Sequence, residues 1–222
     1  MIAVVIDDMG VDQKRSKATI ALSGPLTLSF LDYAQNVVAQ TQSASAAGHE
    51  IMLHMSMEPS NASLDAGPNV LKTSMAPDEV LSRLNRSISR LDKIVGINNH
   101  MGSKFTSDAF SVRIVMEELS RRGLLFLDSR TSSKSVGAEI AREIGVPTVQ
   151  RNVFLDHIND VDAVRASLRE VERIARKIGY VVAIGHPRDA TLKVLKEWLP
   201  EVQTRGFALV PITAIVKRRH KL

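Results

Sequence analysis

Short apolar runs alternate along this chain with longer segments whose apolar residues recur at helical spacing. Eight runs read as strands, because each is rich in β-branched or other apolar side chains and bounded by polar residues, Gly or Pro. They cover residues 2–7, 26–30, 50–54, 95–100, 124–129, 148–155, 180–186 and 207–213. Seven helices fit between them, over residues 12–22, 36–47, 77–91, 108–122, 136–144, 160–178 and 189–198.

Several of these helices carry their own boundary signals. Pro77 stands at a first-turn position, Ser107 is the predicted N-cap of helix 108–122, and Gly123 is its predicted stop. Helix 160–178 has one apolar stripe, which predicts a single buried face. The stripe consists of Val161, Val164, Leu168, Val171, Ile174, Ala175 and Ile178.

Strands separated by helices predict a mostly parallel sheet, because a parallel connection needs a crossover. The fold class is therefore α/β. Seven or eight strands suit a closed barrel, yet 222 residues is short for eight full units, so a distorted (β/α) barrel is expected. An open doubly wound sheet is the alternative. We expect one domain over residues 1–216 and a basic, solvated tail over 217–222.

Polar side chains with reactive groups follow the apolar runs at their carboxyl ends. In folds of parallel strands these ends form one face, where ligands bind. The pattern therefore predicts one active site, overhung by the long connection 55–76. The residues concerned are Asp7, Asp8, His54, Asn99, His100, Asp128, Arg130, Asp156 and His186.

Carboxylates and imidazoles converging on one rim favour metal-assisted hydrolysis. Of the tandem Asp7 and Asp8, one can ligate a cation while the other accepts a proton from water, although a turn with a helix cap uses the same residues. His54 and Glu58, four residues apart, offer nitrogen and oxygen ligands acceptable to zinc. His186 ends an apolar strand and can protonate a leaving group.

The remaining polar residues have two readings. Asn98, Asn99, His100 and Ser103 form either part of a ligand site or a hydrogen-bonded loop around a buried histidine. Four charged residues either orient ligands and clamp substrate or form ordinary ion pairs. These four are Asp128, Arg130, Arg151 and Asp156.

Composition narrows the class of partner. The chain is 44% hydrophobic and 24% charged, which is typical of a globular protein. Of its 29 basic residues, four lie at the end of the chain, namely Lys217, Arg218, Arg219 and Lys221. The other 25 are nearly balanced by the 24 acidic residues. A nearly neutral body argues against a nucleic-acid surface. No cysteine is present, so disulfides and thiolate metal sites are excluded.

The sequence also bears on location. No apolar run is long enough to span a membrane, and the start of the chain lacks the order of a signal peptide. We therefore expect either a cytosolic protein or a domain trimmed from a longer exported chain. The oligomeric state stays open.

Several ordered motifs resemble one family of enzymes. IDDMG resembles the Asp-Asp motif of NodB-type polysaccharide deacetylases, the family four carbohydrate esterases, and GHEIMLHMSMEP and AIGHP resemble their histidine motifs. With NNHMGS, LDSRT and QRNVFLD added, the set looks like the divergent polysaccharide deacetylase family. The resemblance implies a distorted (β/α) barrel that binds a divalent metal, commonly zinc.

The resemblance also implies roles for single residues. Asp7 occupies the position of the general base, Asp8 and His54 those of metal ligands, and His186 that of the catalytic acid. The second metal histidine of the family is replaced by Glu58, and the family's arginine motif is not recognisable. His100 is then expected to supply the missing imidazole.

The implied function is removal of N-acetyl or O-acetyl groups from a polysaccharide or a peptidoglycan-like glycan, in the periplasm or cell envelope. The alternative is an inactive envelope module of the same fold that binds glycan or a protein partner. A barrel lyase or isomerase that uses the same cation is a third reading. Glycan is the expected substrate, with no nucleic-acid partner.

Overall fold

The computed structural model describes residues 1–220. Within them lie eight strands and eight α-helices. The strands are β1 Ile2–Met9, β2 Thr27–Phe30, β3 Glu50–Met57, β4 Gly96–Met101, β5 Leu125–Asp128, β6 Thr148–Gln150, β7 Val153–Phe154 and β8 Val181–Gly185. The helices are α1 Gln13–Ile20, α2 Val37–Ala46, α3 Pro77–Ile88, α4 Ala109–Arg122, α5 Gly137–Ile144, α6 Val161–Ile178, α7 Asp189–Trp198 and α8 Ile212–His220.

All paired strands run parallel, in the order β6-β5-β4-β3-β2-β1-β8-β7. This is the chain order of a barrel, opened between β6 and β7, and not the reversing order of a doubly wound sheet. The short link between the two edge strands spans the opening. Arg151 N donates to Asp128 O at 3.0 Å, and Asn152 N donates to Val182 O at 2.8 Å. The expected distorted barrel is confirmed.

The strands separate two apolar layers. One lies between sheet and helices and takes alternate residues such as Val4, Ile6 and Leu53. The other joins Val5, Met52, Leu127, Val149 and Ile184 from strands that are mostly not neighbours, so it fills the inside of the curl. Toward the carboxyl ends the same inward positions become polar, and they carry Asp7, Ser29, His54 and Asn98. The site is thus continuous with the core.

Two expected strands differ in the structure. Residues 148–155 form two short strands on opposite edges of the sheet, because the chain leaves β5 and joins β8 at residues 151 and 152. Residues 207–213 contribute only one bridge, between Leu209 and Ile2, before helix α8 begins. The apolar residues of this last segment are buried or partly buried because the segment enters the barrel, and not because it forms a strand of the sheet.

Helix α8 packs inside the curl at the amino ends of the strands. Ile212, Ile215 and Val216 join the inner apolar layer. Ile212 N donates to Thr27 Oγ1 at 3.0 Å. His220 Nε2 lies 3.0 Å from Thr148 O and 3.1 Å from Thr148 N, and according to its tautomer it donates to the oxygen or accepts from the nitrogen. The helix therefore closes the barrel at the end opposite the polar residues.

The tail expected to be solvated is helical as far as it is described. Lys217, Arg218 and Arg219 are exposed, yet Arg219 lies over the Tyr180 ring at 5.6 Å, and His220 contacts β6. Lys221 and Leu222 lie outside the described residues. The terminal basic segment to residue 220 is thus partly docked on the barrel.

The helix boundaries follow the sequence signals closely. Gly123 ends α4 in the left-handed conformation, as predicted. The N-cap of this helix is Asp108 and not Ser107, because the Asp108 carboxylate accepts from Ser111 N while Ser107 lies in a preceding 3-10 turn. Across residues 1–220, none of the helices combines the length and apolarity needed to cross a bilayer.

Candidate metal centre and catalytic rim

The two tandem aspartates reach the same place because β1 is irregular at its end. The β1–β2 register shifts between Ile6 and Met9, and Asp8 has φ of 54°. Asp tolerates this left-handed conformation better than most residues. In a regular strand two adjacent side chains would point to opposite faces. Here Asp7 Oδ2 and Asp8 Oδ1 both approach His54 Nε2, at 3.7 Å and 3.3 Å.

Three potential ligand atoms meet at the carboxyl ends of β1, β3 and β4. They belong to Asp8, His54 and His100 and lie within 4.8 Å of one another. His100 Nδ1 is 3.0 Å from Asp8 Oδ1 and 3.1 Å from His54 Nε2. In the parallel β3–β4 pair, His100 on β4 lies beside Ser56 on β3, and Ser56 is two residues after His54. The structure thus brings together the three residues expected to hold a metal.

These residues fit a divalent cation. In a tetrahedral zinc site with bonds of about 2.0 Å, neighbouring ligand atoms lie about 3.3 Å apart. The three observed separations of 3.0, 3.1 and 3.3 Å match one triangular face of such a site. Asp8 Oδ1 is buried and has no well-oriented hydrogen-bond donor among residues 1–220. A buried, unsatisfied carboxylate oxygen between two imidazoles is what a cation would satisfy.

The charges of this cluster are strongly coupled. Burial would raise the pKa of Asp8, but its close contacts with His100 and His54 hold the pKa well below the ordinary range. Burial would lower the pKa of His54, but the charges of Asp7 and Asp8 and their contacts raise it to about 9. Burial raises the pKa of Asp7. Asp8 is therefore held negatively charged between the two histidines, and this charge favours a proton or another cation in the cluster.

His186 is held by a buried carboxylate on the other side of the rim. Its Nδ1 lies 2.9 Å from Asp156 Oδ1, and its backbone N donates to Asp156 Oδ2 at 2.7 Å. Thr191 Oγ1 donates to the same Oδ2 at 2.7 Å. Because Asp156 Oδ1 accepts a hydrogen bond from Nδ1 of His186, the other ring nitrogen, Nε2, faces the site, 3.7 Å from Asp8 Oδ2.

The Asp156 contact also sets the charge of this pair. Burial would lower the pKa of His186, but the hydrogen bond and negative charge of Asp156 raise it. Burial would raise the pKa of Asp156, but the hydrogen bond and charge of His186 lower it. An imidazolium is thereby stabilised at the rim.

Glu58 lies outside the metal cluster. Its Oε2 accepts from Thr73 N at 2.9 Å and from Thr73 Oγ1 at 3.0 Å, and its Oε1 accepts from Lys104 Nζ at 2.8 Å. Burial would raise the pKa of Glu58, but the hydrogen bonds from Lys104 and Thr73 and the charge of Lys104 together lower it. The carboxylate ties together the loops after β3 and β4.

Three other predicted site residues shape the rim through backbone contacts. Asn99 Nδ2 donates to Met101 O at 2.7 Å, and its Oδ1 accepts from Ser129 N at 3.0 Å. Ser103 Oγ accepts from Ser60 N at 2.8 Å. Asp128 accepts from Arg130 N and from Ser135 Oγ, each at 2.8 Å. These contacts are those of hydrogen-bonded loops.

Arg130 and Arg151 lie beside the rim. Arg130 has φ of 53° in the turn after β5, and its carbonyl accepts from Arg151 Nη2 at 3.0 Å. The Arg151 guanidinium also donates to Ser129 O at 2.7 Å and lies over the Phe154 ring at 4.8 Å. Burial lowers the pKa of Arg151. Phe154 also packs against His186, and the centres of the two rings are 5.3 Å apart.

Sequence reasoning missed several residues of the site. Asn98, which is fully buried, bonds to Asp7 and His54, and Phe154 packs against His186. Asn98 had a signal, since it alternates with Gly96 on an apolar strand and therefore points inward. Phe154 had none, because an aromatic residue in a strand is most often core.

Two bacterial proteins are similar to this chain along most of its length. A protein of Haemophilus influenzae described as uncharacterized is 36% identical over 198 residues, which are 89% of this chain and 70% of that protein. The uncharacterized protein YibQ of Escherichia coli is 34% identical over 197 residues, 88% of this chain and 61% of that protein. The chain thus spans about three fifths of the length of YibQ.

Solved structures share the fold. An uncharacterized protein of Agrobacterium tumefaciens C58 superposes with a TM-score of 0.93 at 29% identity, covering 96% of this chain and 88% of that one. A family 4 carbohydrate esterase of Streptomyces lividans in complex with acetate has a TM-score of 0.51 at 13% identity, covering 92% and 88%. A CE4 family pseudoenzyme of Bacillus anthracis has a TM-score of 0.58 at 12% identity, covering 97% and 65%.

The family match spans nearly the whole barrel. Residues 4–216 match the divergent polysaccharide deacetylase family. The matched range includes every rim residue described above. With two relatives above 30% identity along most of the chain, this protein belongs to the divergent polysaccharide deacetylase family.

Proposed function

We propose that the protein is a metal-dependent hydrolase that removes N-acetyl, or O-acetyl, groups from a polysaccharide or peptidoglycan-like glycan. One observation carries the proposal. The Asp8, His54 and His100 group lies between a buried carboxylate, Asp7, and an imidazole, His186, that is oriented by Asp156. Metal ligands flanked by a proton acceptor and a proton donor are what amide or ester hydrolysis requires.

Asp8, His54 and His100 would hold the cation, for which zinc is the proposed identity. A bound cation of this kind supplies Lewis-acid chemistry, which polarises a carbonyl and lowers the pKa of water. With three protein ligands, the cation would remain open to water and substrate, as in other catalytic zinc sites. The residues around this position then determine the direction of proton transfer.

Asp7 and His186 would divide the proton transfers. Asp7 lies inside the barrel beside His54 and accepts the proton of the attacking water. His186, kept protonated by Asp156, donates a proton from Nε2 to the departing amine or alcohol. Arg151 and Phe154 pack behind His186 and limit the positions that its ring can adopt.

The fold neighbours support this reaction class, since one of them is a carbohydrate esterase bound to acetate. Because these neighbours share only the fold with this chain, the proposed substrate is inferred from the residues of the rim. A location in the periplasm or cell envelope follows as part of the proposal, from the kind of polymer that the reaction would act on.

The test is acetate release by the zinc-loaded protein. Acetylated chitooligosaccharides, O-acetylated xylan and peptidoglycan fragments are supplied, and acetate is measured against the Asp8→Ala variant. We expect release by the wild type only. Product without acetate would indicate a lyase or isomerase and would overturn the proposal.

A second function is favoured by a separate observation. Glu58 stands where the family places a metal histidine and is bonded to Thr73 and Lys104, and one fold neighbour is a pseudoenzyme. An inactive module that binds glycan would use the same rim without turnover. Glycan binding by zinc-loaded protein, with no acetate released from any of the substrates above, would support this module over the enzyme.

A further inference from the structure

We infer that Asn98 is a positioning residue that assigns different roles to the metal-site histidine and the neighbouring carboxylate. Its amide oxygen fixes the tautomer of His54, and its amide nitrogen fixes both oxygens of Asp7. The inference rests on the proposed function for its catalytic part, but its metal-binding part stands apart from turnover.

The orientation of the Asn98 amide follows from its neighbours. Nδ2 lies 2.9 Å and 3.0 Å from the two carboxylate oxygens of Asp7, and Oδ1 lies 2.9 Å from His54 Nδ1. Reversing the amide would set its oxygen against a carboxylate that only accepts hydrogen bonds. The observed orientation is therefore the one that satisfies both partners.

This orientation determines the state of His54. An amide oxygen can only accept, so a proton of His54 must lie on Nδ1, and in the neutral imidazole it is the only ring proton. Nε2 is then left with its lone pair, and it is the atom 3.3 Å from Asp8 Oδ1 and 3.1 Å from His100 Nδ1. Neutral imidazole with a free nitrogen is the form that binds a metal. Asn98 thus prepares His54 as a ligand before any metal arrives.

The same amide determines the position of Asp7. It contacts both oxygens of the carboxylate but carries no charge, so it holds the group without forming an ion pair. An arginine at this place would hold Asp7 and neutralise it as well. The amide therefore allows Asp7 to stay beside the metal cluster as a proton acceptor.

Two serines hold Asn98 in turn. Ser29 Oγ donates to Oδ1, and Nδ2 lies 3.1 Å from Ser129 Oγ. Through these contacts one side chain on β4 links β1, β2, β3 and the end of β5. Asn98 is fully buried, so water cannot take over its bonds without a rearrangement of the barrel.

Two substitutions separate the two roles. Asn98→Asp keeps an oxygen that accepts from His54 Nδ1 but sets a carboxylate against Asp7. We expect its zinc affinity to stay within about tenfold of the wild type, while turnover falls by about 10²-fold or more. Asn98→Ala removes both contacts, and we expect zinc affinity to fall by about 10- to 100-fold together with turnover.

Three measurements are made on each variant: zinc affinity by competition with a chelator, imidazole ¹⁵N NMR of the metal-free protein, and acetate release. At a pH above the raised pKa of His54, where its imidazole is neutral, the NMR spectrum of the wild type should show the remaining proton on Nδ1, and this measurement needs no variant. Thr148→Val, which removes a buried hydroxyl bonded to Phe126 O at 2.9 Å, is the control for general loss of stability.

Equal losses of zinc affinity in both Asn98 variants would overturn the inference, as would a proton on Nε2 of neutral His54 in the wild type. Losses matched by Thr148→Val would reduce Asn98 to a structural role and overturn it as well. If the wild type binds zinc but releases no acetate, the proposed enzyme fails, while the affinity and NMR measurements still decide the role of Asn98 toward His54.

Discussion

At the scale of single residues, the site depends on side chains whose partners are few and well defined. Asp8 adopts a left-handed backbone so that its carboxylate joins His54 and His100. Glu58, by contrast, has its oxygens occupied by Thr73 and Lys104. These contacts give each residue a separate expected effect on metal binding.

His100→Ala should weaken zinc affinity far more than Glu58→Ala. His100 Nδ1 is one of the three clustered ligand atoms, whereas the Glu58 carboxylate is bonded elsewhere. Loss of one of three protein ligands is difficult to compensate. Isothermal titration with zinc measures both variants, and the opposite ranking would mean that the Glu58 loop rearranges to bind the metal.

Asp7→Asn and His186→Ala should each keep the cation but lose about 10²–10⁴-fold in turnover, the usual contribution of positioned proton transfer. Both side chains border the cluster without belonging to the three-atom group. Metal content, thermal stability and acetate release are measured on the same preparation. Loss of zinc from Asp7→Asn would make Asp7 a ligand.

Asp156→Asn should move the alkaline limb of the pH profile for turnover to lower pH. The negative charge of Asp156 raises the pKa of His186, so the protonated acid persists to higher pH in the wild type. Asparagine keeps an oxygen for Nδ1 but loses the charge. Turnover is measured from about pH 5 to 10, and an unchanged alkaline limb would remove His186 as the acid.

The same substitution changes stability at both ends of the pH range. The lowered pKa of Asp156 contributes stability above its unfolded value of about 3.9, and this is lost as pH falls through the folded pKa. The raised pKa of His186 contributes stability below about 6.5, and this is lost as pH rises through the folded pKa. Between these limits Asp156→Asn should be the less stable protein in urea titrations.

At the scale of elements, strand ends and one helix position the site. β4 carries Asn98 and His100, and it begins at Gly96, where an added Cβ would overlap the carbonyl oxygen of Leu125 on β5. Helix α8 fills the amino end of the curl and supplies apolar side chains to the inner layer. The rim is thus supported from below by an element remote from it in sequence.

Ile215→Ala should destabilise the fold by about 2–5 kcal/mol, the usual cost of truncating a buried Ile or Leu. Ile215 is fully buried in the inner layer. Lys217→Ala, on the exposed side of the same helix, should change stability by no more than about 0.5 kcal/mol. Urea unfolding compares the two, and equal values would mean that α8 does not pack inside the barrel.

At the scale of the whole molecule, the metal cluster joins β1, β3 and β4, so metal binding and folding are coupled. A ligand that binds only the folded state stabilises it according to its concentration relative to Kd. Zinc should therefore raise the Tm of the wild type by an amount that grows with concentration. Differential scanning calorimetry with Asp8→Ala as control measures this, and an equal rise in both proteins would place zinc elsewhere.

Much of the fold could be predicted from the sequence, because it depends on local periodicity. Seven of the eight regions predicted as strands contain the observed strands, and the helical spacing predicted α1 to α7. The ends of the predicted strands marked Asp7, Asp8, His54, His100 and His186. These signals are local. The carboxyl ends of parallel strands all lie at the same end of a barrel, so the residues that end them come close together.

Tertiary structure alone decided the rest, because those features depend on contacts between distant segments. The alternation in residues 207–213 could not reveal that the chain enters the barrel and becomes α8. The position of Glu58 in the sequence could not reveal that Lys104 and Thr73 donate hydrogen bonds to its carboxylate oxygens. Asn98 read as one polar residue among several, and only the convergence of β1, β3 and β4 made it the partner of Asp7 and His54.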